Sequence, residues 1–102
     1  MKLFKLLYVY ILRCSDNSYY TGITNNPDLR LEQHNAGIKN DSYTYTRRPV
    51  VLVYCESFDK YEDALNWETQ IKKWSRKKKD ALINDNWDEI KSLSNFKNLH
   101  KK

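Results

Sequence analysis

Apolar and aromatic residues fill nearly every position from Leu6 to Cys14, without the alternation of a half-exposed strand. Such a run suits a strand buried on both faces. Asp16-Asn17 interrupts it with turn chemistry, and Ser18 to Thr24 reads as the return strand. The length of the connection decides which side chains share a face. A two-residue turn would set Tyr10 and Tyr20 on opposite faces. A loop with an odd number of residues sets them on one face, because side chains alternate with a period of two. The odd loop is the expectation.

The pattern then changes to helical. Asn25-Asn26-Pro27-Asp28 reads as a helix start, with Asn26 as N-cap, Pro27 in the first turn and Asp28 near the positive end of the dipole. Gly37 is the natural stop. Arg30 and His34 are four apart and share a helix face, beside Leu31. Residues 38–49 read as a polar loop with Tyr43 and Tyr45 interleaved, ending in Arg47-Arg48-Pro49. Val50 to Tyr54 is β-branched and apolar, a third buried strand. Asp59-Lys60-Tyr61-Glu62 has the capping-box pattern and opens a second helix to about Trp74. Its apolar stripe is Tyr61, Ala64, Leu65 and Ile71, and Glu68 falls in the middle of that stripe. Ser75 can cap a third helix, Arg76 to about Asn84, burying Ala81, Leu82 and Ile83. A short helical turn around Trp87, Ile90 and Leu93 follows, with a polar, frayed end. These elements make an α+β fold, a small three-stranded, largely antiparallel sheet flanked by helices. The domain is expected over residues 1–84, with 85–102 as an extension; there is no internal repeat or linker.

Composition narrows the class. The 102 residues suit one domain with a modest core, and 30% charged against 40% apolar residues is globular. No apolar run approaches the ~20 residues of a membrane span, and the N-terminal stretch lacks a signal-peptide cleavage pattern. Cys14 and Cys55 sit in strand-like contexts without a C-x-x-C partner, which argues against zinc and for reduced thiols in a cytoplasmic protein. A net charge of +5, from 18 Lys and Arg, favours a polyanionic partner, nucleic acid first.

Several residues invite chemistry, and each has a plainer explanation. Glu68 on an apolar stripe is costly unless it is paired or binds a metal. It could pair with Lys72 at i+4 or tip into solvent; equally, Mg²⁺ often takes only one or two protein carboxylates and keeps its waters. Arg30 and His34 could bind a phosphate, or His34 could simply favour a helix C-terminus and Arg30 be surface charge. Tyr10 and Tyr20 could be packing residues. The run Arg76-Lys77-Lys78-Lys79 could be a solvated face, yet cations at a helix N-terminus oppose the dipole and become sensible if a polyanion binds there.

Taken together these positions resemble the GIY-YIG nuclease superfamily, and its small stand-alone bacterial members most. Tyr8-Val9-Tyr10, followed by Ile11-Leu12-Arg13-Cys14, is similar to the first motif, and Tyr20-Thr21-Gly22 to the second. Arg30 stands at the family's helix arginine, and His34 four residues on matches a further position. Thr46-Arg47-Arg48-Pro49 and the block from Ala64 to Lys72 resemble later segments, with Glu68 at the metal-binding glutamate. The resemblance covers about residues 5–84. Tyr8 replaces the glycine of the first motif and Thr21 the isoleucine of the second, leaving both key tyrosines in place.

The resemblance implies a GIY-YIG endonuclease-like fold and a divalent-metal-dependent phosphodiesterase acting on nucleic acid, DNA first, in repair or processing. Glu68 would hold Mg²⁺ or Mn²⁺, Tyr10 would accept a proton from the attacking water, Arg30 would stabilise phosphoryl charge, and Tyr20 would orient water or phosphate. His34 would shuttle a proton or bind phosphate. Arg13, Arg47, Arg48, Lys72, Arg76, Lys77, Lys78 and Lys79 would hold the nucleic-acid backbone, giving salt-sensitive affinity with little base readout. No small-molecule cofactor and no membrane partner are implied, and a monomer is expected. The competing expectation is a binding module that keeps the fold with weak catalysis or none.

Overall fold

A computed structural model describes residues 6–93. The first five residues, where a leader would begin, and the C-terminal end expected to fray lie outside the described residues. The chain divides between Lys72 and Lys73 into two compact units.

The first unit is built on a three-stranded sheet. β1 (Leu7–Arg13) is central, between β2 (Tyr19–Thr24) and β3 (Val51–Phe58), and both pairings are antiparallel. The four consecutive residues Val9 to Leu12 are all buried, which is why the apolar run shows no alternation. Five residues connect β1 to β2, and the register sets Leu12 opposite Tyr20 and Tyr10 opposite Gly22. Tyr10, Leu12 and Tyr20 therefore share one face, as the odd loop requires.

α1 (Pro27–Ala36) begins as its caps dictate. The Asn26 side chain accepts from the Leu29 N–H at 3.1 Å, Pro27 opens the first turn, and Gly37 closes the helix at φ 68°, in the left-handed region. Its Leu31 packs on the core cluster of Tyr10, Leu12, Cys14 and Val50. The Asn35 side chain clamps the start of β3 from both sides. Its amide donates to the Val50 carbonyl at 2.9 Å and its oxygen accepts from the Val50 N–H at 2.7 Å.

α2 (Tyr61–Lys72) packs on the opposite face. Trp67 donates its indole N–H to the Tyr54 hydroxyl at 3.0 Å, and Tyr54 stands opposite Ile11, not Leu12. The first turn closes from the Lys60 carbonyl to the Ala64 N–H, so the helix starts one residue after the position the capping box indicates. Ala64 and Ile71 are buried, but Tyr61 and Leu65 are exposed, and the stripe runs through Trp67 instead.

β3 also departs from expectation. It extends to Phe58, and as an edge strand it leaves Val51 exposed rather than buried on both faces. A register shift between Ile11 and Leu12 lets Leu52 join the Tyr10 face while Tyr54 turns to the other. The loop before it holds one 3₁₀ turn at Tyr45–Arg47 and a cis Arg48–Pro49 peptide.

The second unit contains α3 (Arg76–Ile83) and α4 (Trp87–Leu93). Ser75 caps α3, its hydroxyl accepting from the Lys78 N–H at 3.2 Å. Ala81, Leu82 and Ile90 are buried, whereas Trp87 and Leu93 are exposed. Among the described residues no helix is long and apolar enough to cross a membrane.

Candidate active site

Four of the residues expected to carry chemistry meet on one face of the sheet. Tyr10 comes from the central strand, Tyr20 from its neighbour, and Arg30 and His34 from successive turns of α1. The Tyr10 hydroxyl lies 3.2 Å from His34 Nε2. The Tyr10 and Tyr20 rings are tilted with centroids 6.3 Å apart, and Tyr20 meets His34 edge-on at 5.1 Å. The Arg30 guanidinium lies near enough to the Tyr10 hydroxyl for its positive charge to act on it. An open cleft of about 510 Å³ adjoins this group, with Tyr20, Arg30 and His34 in its wall and the 38–43 loop opposite.

Gly22 makes the arrangement possible. The Tyr10 ring lies across β2 at that position, and a Cβ on residue 22 would sit 2.6 Å from the Tyr10 hydroxyl oxygen. No real side chain fits there without moving the phenol. Gly22→Ala is therefore expected to displace Tyr10 and destabilise the fold by about 1–3 kcal/mol, as overpacking does, read by thermal melting. An unchanged melting temperature would show that the ring can shift freely.

Burial and charge set the protonation states. Tyr10 is pushed up to about 12, first by burial and then by the neighbouring Tyr20; Arg30 opposes this with its charge, and the Glu68 charge adds a smaller upward push. Tyr10 is thus a firm phenol at neutral pH. His34 is held below its ordinary value by burial and then by the Arg30 charge, so the ring is neutral. A proton-bearing phenol beside a neutral imidazole leaves the direction of their 3.2 Å bond to the ring's tautomer. On its other side, His34 Nδ1 lies 2.7 Å from the Thr44 hydroxyl.

Glu68 stands apart from this cluster, on α2, within electrostatic reach of Tyr10. Its side chain is 13% exposed and pairs with Lys72 at 3.1 Å. That is the plainer i+4 pairing, and Lys72 is 55% exposed and can swing away. A metal here would rest on a single carboxylate and water. That donor set suits Mg²⁺ or Mn²⁺ and not zinc.

The basic residues have varied surroundings. Arg13 is exposed at the end of β1. Arg47 pairs with Asp16 at 3.0 Å, donates to the Tyr43 carbonyl at 2.7 Å and lies over the Tyr43 ring. Arg48 donates to the Tyr45 and Asn35 carbonyls and lies over the Tyr45 ring. Both arginines shape the loop that faces α1. In the second unit, Arg76 pairs with Asp80 at 3.3 Å, and Lys78 lies 4.3 Å over the Trp74 ring. Lys77 is exposed, and Lys79 is held below its ordinary value by burial and then by Arg76.

A family model for the GIY-YIG catalytic domain matches residues 6–81. The chain belongs to the GIY-YIG family. It is similar to a UPF0213 protein of Staphylococcus haemolyticus, 51% identical over 76% of this chain and 94% of that one. A UPF0213 protein of Syntrophus aciditrophicus is 51% identical over 78% of this chain and 91% of its own. The solution NMR structure of a UPF0213 protein from Bacillus halodurans matches with 43% identity and a TM-score of 0.52, over 78% of this chain and 83% of that one. That of an Enterococcus protein (E. faecalis) matches with 37% identity and a TM-score of 0.58, over 83% and 90%. The α+β architecture with its three-stranded antiparallel sheet is thus shared with these two solved structures. Two features of this one escape a sequence reading. Gly22 reads only as part of a motif, and Thr44 looks like any other residue of a polar loop.

Proposed function

We propose that this chain is a divalent-metal-dependent endonuclease that hydrolyses phosphodiester bonds in nucleic acid, with DNA as the substrate. The domain spans residues 1–84, with 85–102 as an extension, and acts as a cytoplasmic monomer. The observation that carries this is the Tyr10–His34 contact at 3.2 Å, with Arg30 bearing on the same hydroxyl beside an open cleft. Membership of a family defined by a catalytic domain supports it.

The protonation states dictate how such a site would work. Tyr10 cannot take a proton from water while it holds its own. In attack, the water proton passes to the Tyr10 oxygen as the Tyr10 proton passes to His34 Nε2. The new bond forms between water oxygen and phosphorus, the bond from phosphorus to the 3′ oxygen breaks, and that oxygen takes a proton from solvent. Arg30 stabilises charge on the phosphoryl oxygens, and Tyr20 holds water or phosphate beside His34. Glu68 would hold the divalent metal, which when bound supplies positive charge to the phosphate. Lys72, released from Glu68, and Arg13 would meet the nucleic-acid backbone. Arg47 and Arg48 contribute to binding chiefly by holding their loop.

The test is nicking of supercoiled plasmid by the purified chain with Mg²⁺ or Mn²⁺, with and without chelator. Chelator-sensitive nicking supports the proposal. Binding without nicking in any metal would favour the module without catalysis, which the Glu68–Lys72 pairing already accommodates.

Affinity tests the basic helix separately. Replacing Lys77, Lys78 and Lys79 by Gln is expected to weaken binding alike across DNA sequences and flatten the salt dependence, by roughly 0.9 in the log–log slope for each phosphate left unneutralised. A variant whose affinity and salt slope match the wild type would show that α3 makes no phosphate contacts.

A further inference from the structure

The side chain behind His34 has no role in the hydrolysis itself. Thr44 is fully buried although it lies in a polar loop, and its hydroxyl touches His34 Nδ1 at 2.7 Å and the Ser42 hydroxyl at 3.1 Å. A hydroxyl can donate or accept, so it fixes a ring tautomer when its own proton is committed elsewhere.

We propose that Thr44 is a positioning residue, holding His34 with its proton on Nδ1 so that bare Nε2 faces the Tyr10 hydroxyl. The directions follow from donor counting. The Tyr10 phenol carries a proton, and Arg30, its other neighbour, can only donate. The Tyr10 proton therefore goes to Nε2 at 3.2 Å, the one acceptor bonded to it among the described residues. The ring proton must then sit on Nδ1 and be donated to Thr44 Oγ1, and the Thr44 proton passes on to Ser42 Oγ. The phenol, the ring N–H and the Thr44 hydroxyl then each have an acceptor. Reversing it would leave the phenol proton without an acceptor among the described residues.

The placement also explains why the loop returns so closely to α1. Arg47 and Arg48 tie it down through Asp16 and through the Tyr43, Tyr45 and Asn35 carbonyls, on either side of Thr44. The catalytic consequence rests on the nuclease function, but the tautomer does not.

The experiment uses the full chain carrying His100→Asn, so that His34 is the sole imidazole. Two-bond proton–nitrogen correlation spectra of the ring, taken above its titration, report the tautomer for wild-type Thr44, Thr44→Ser and Thr44→Val. The Nδ1–H form is expected for Thr and Ser, and its loss for Val, which keeps the shape and removes the hydroxyl. Single-turnover cleavage should follow it, Ser staying near wild type and Val falling by about tenfold or more, since the wrong tautomer cannot take the proton. An Nε2–H ring in the wild type, or an Nδ1–H ring that persists in Thr44→Val, overturns the proposal. A tautomer that switches in a chain with no cleavage upholds the Thr44 assignment and overturns the nuclease function instead.

Discussion

Glu68→Gln is expected to abolish metal-dependent cleavage while moving the melting temperature by only a few degrees. The two halves of that expectation come from the same ion pair. Glu68 pairs with Lys72, but Lys72 is 55% exposed, so breaking the pair returns the ammonium to water and strands no buried charge. Pairs with one partner in solvent contribute ~0.2–1 kcal/mol, and the amide keeps the shape of the carboxylate. What Gln cannot supply is the negative charge that a hard cation needs. Paired measurements separate the roles: melting without metal, and nicking with Mn²⁺. Unchanged nicking would remove Glu68 as the metal ligand. Loss of nicking together with a collapse of the melting temperature would make it a structural residue.

Tyr10→Phe is expected to cut turnover by about 10²-fold or more, the usual scale of a missing proton-transfer group, with affinity and fold nearly intact. Tyr10 is 1% exposed and its ring is wedged between Leu12, Tyr20 and the Gly22 backbone, so the phenyl ring keeps that packing. Losing the hydroxyl removes the partner of His34 Nε2 and of Arg30, and both of these border an open cleft where water can take its place. Single-turnover rates and equilibrium binding on the same DNA distinguish the outcomes. A variant that binds weakly but cleaves at the wild-type rate when saturated would make Tyr10 a binding residue.

Much of this geometry is legible in the sequence. An apolar run without alternation can only be a central strand or a buried helix, and its β-branched character and the turn after it favour the strand. Once the loop is odd, Tyr10 and Tyr20 share a face, and Asn26, Pro27 and Gly37 fix where α1 begins and ends. Arg30 and His34 then follow from a four-residue spacing. What stays hidden depends on tertiary return. A β-branched run looks alike at a sheet's edge and its centre, so β3 reads as buried, and the register shift that splits Leu52 from Tyr54 leaves no local mark. Arg47 and Arg48 read as a backbone clamp because their charge is visible, whereas Asp16, the partner of Arg47, lies across the loop from it. Thr44 has no signal at all, because its burial arises only when the loop folds back on His34.

The central claim is that the Tyr10–His34 pair performs phosphodiester hydrolysis. Its most direct test is single-turnover cleavage of one end-labelled DNA by wild type and Tyr10→Phe, purified identically, in Mn²⁺ with and without chelator. The proposed site predicts chelator-sensitive cleavage by the wild type and loss of that cleavage in the variant at equal DNA occupancy. Equal cleavage by both proteins, or none by the wild type while it binds the DNA, would contradict it.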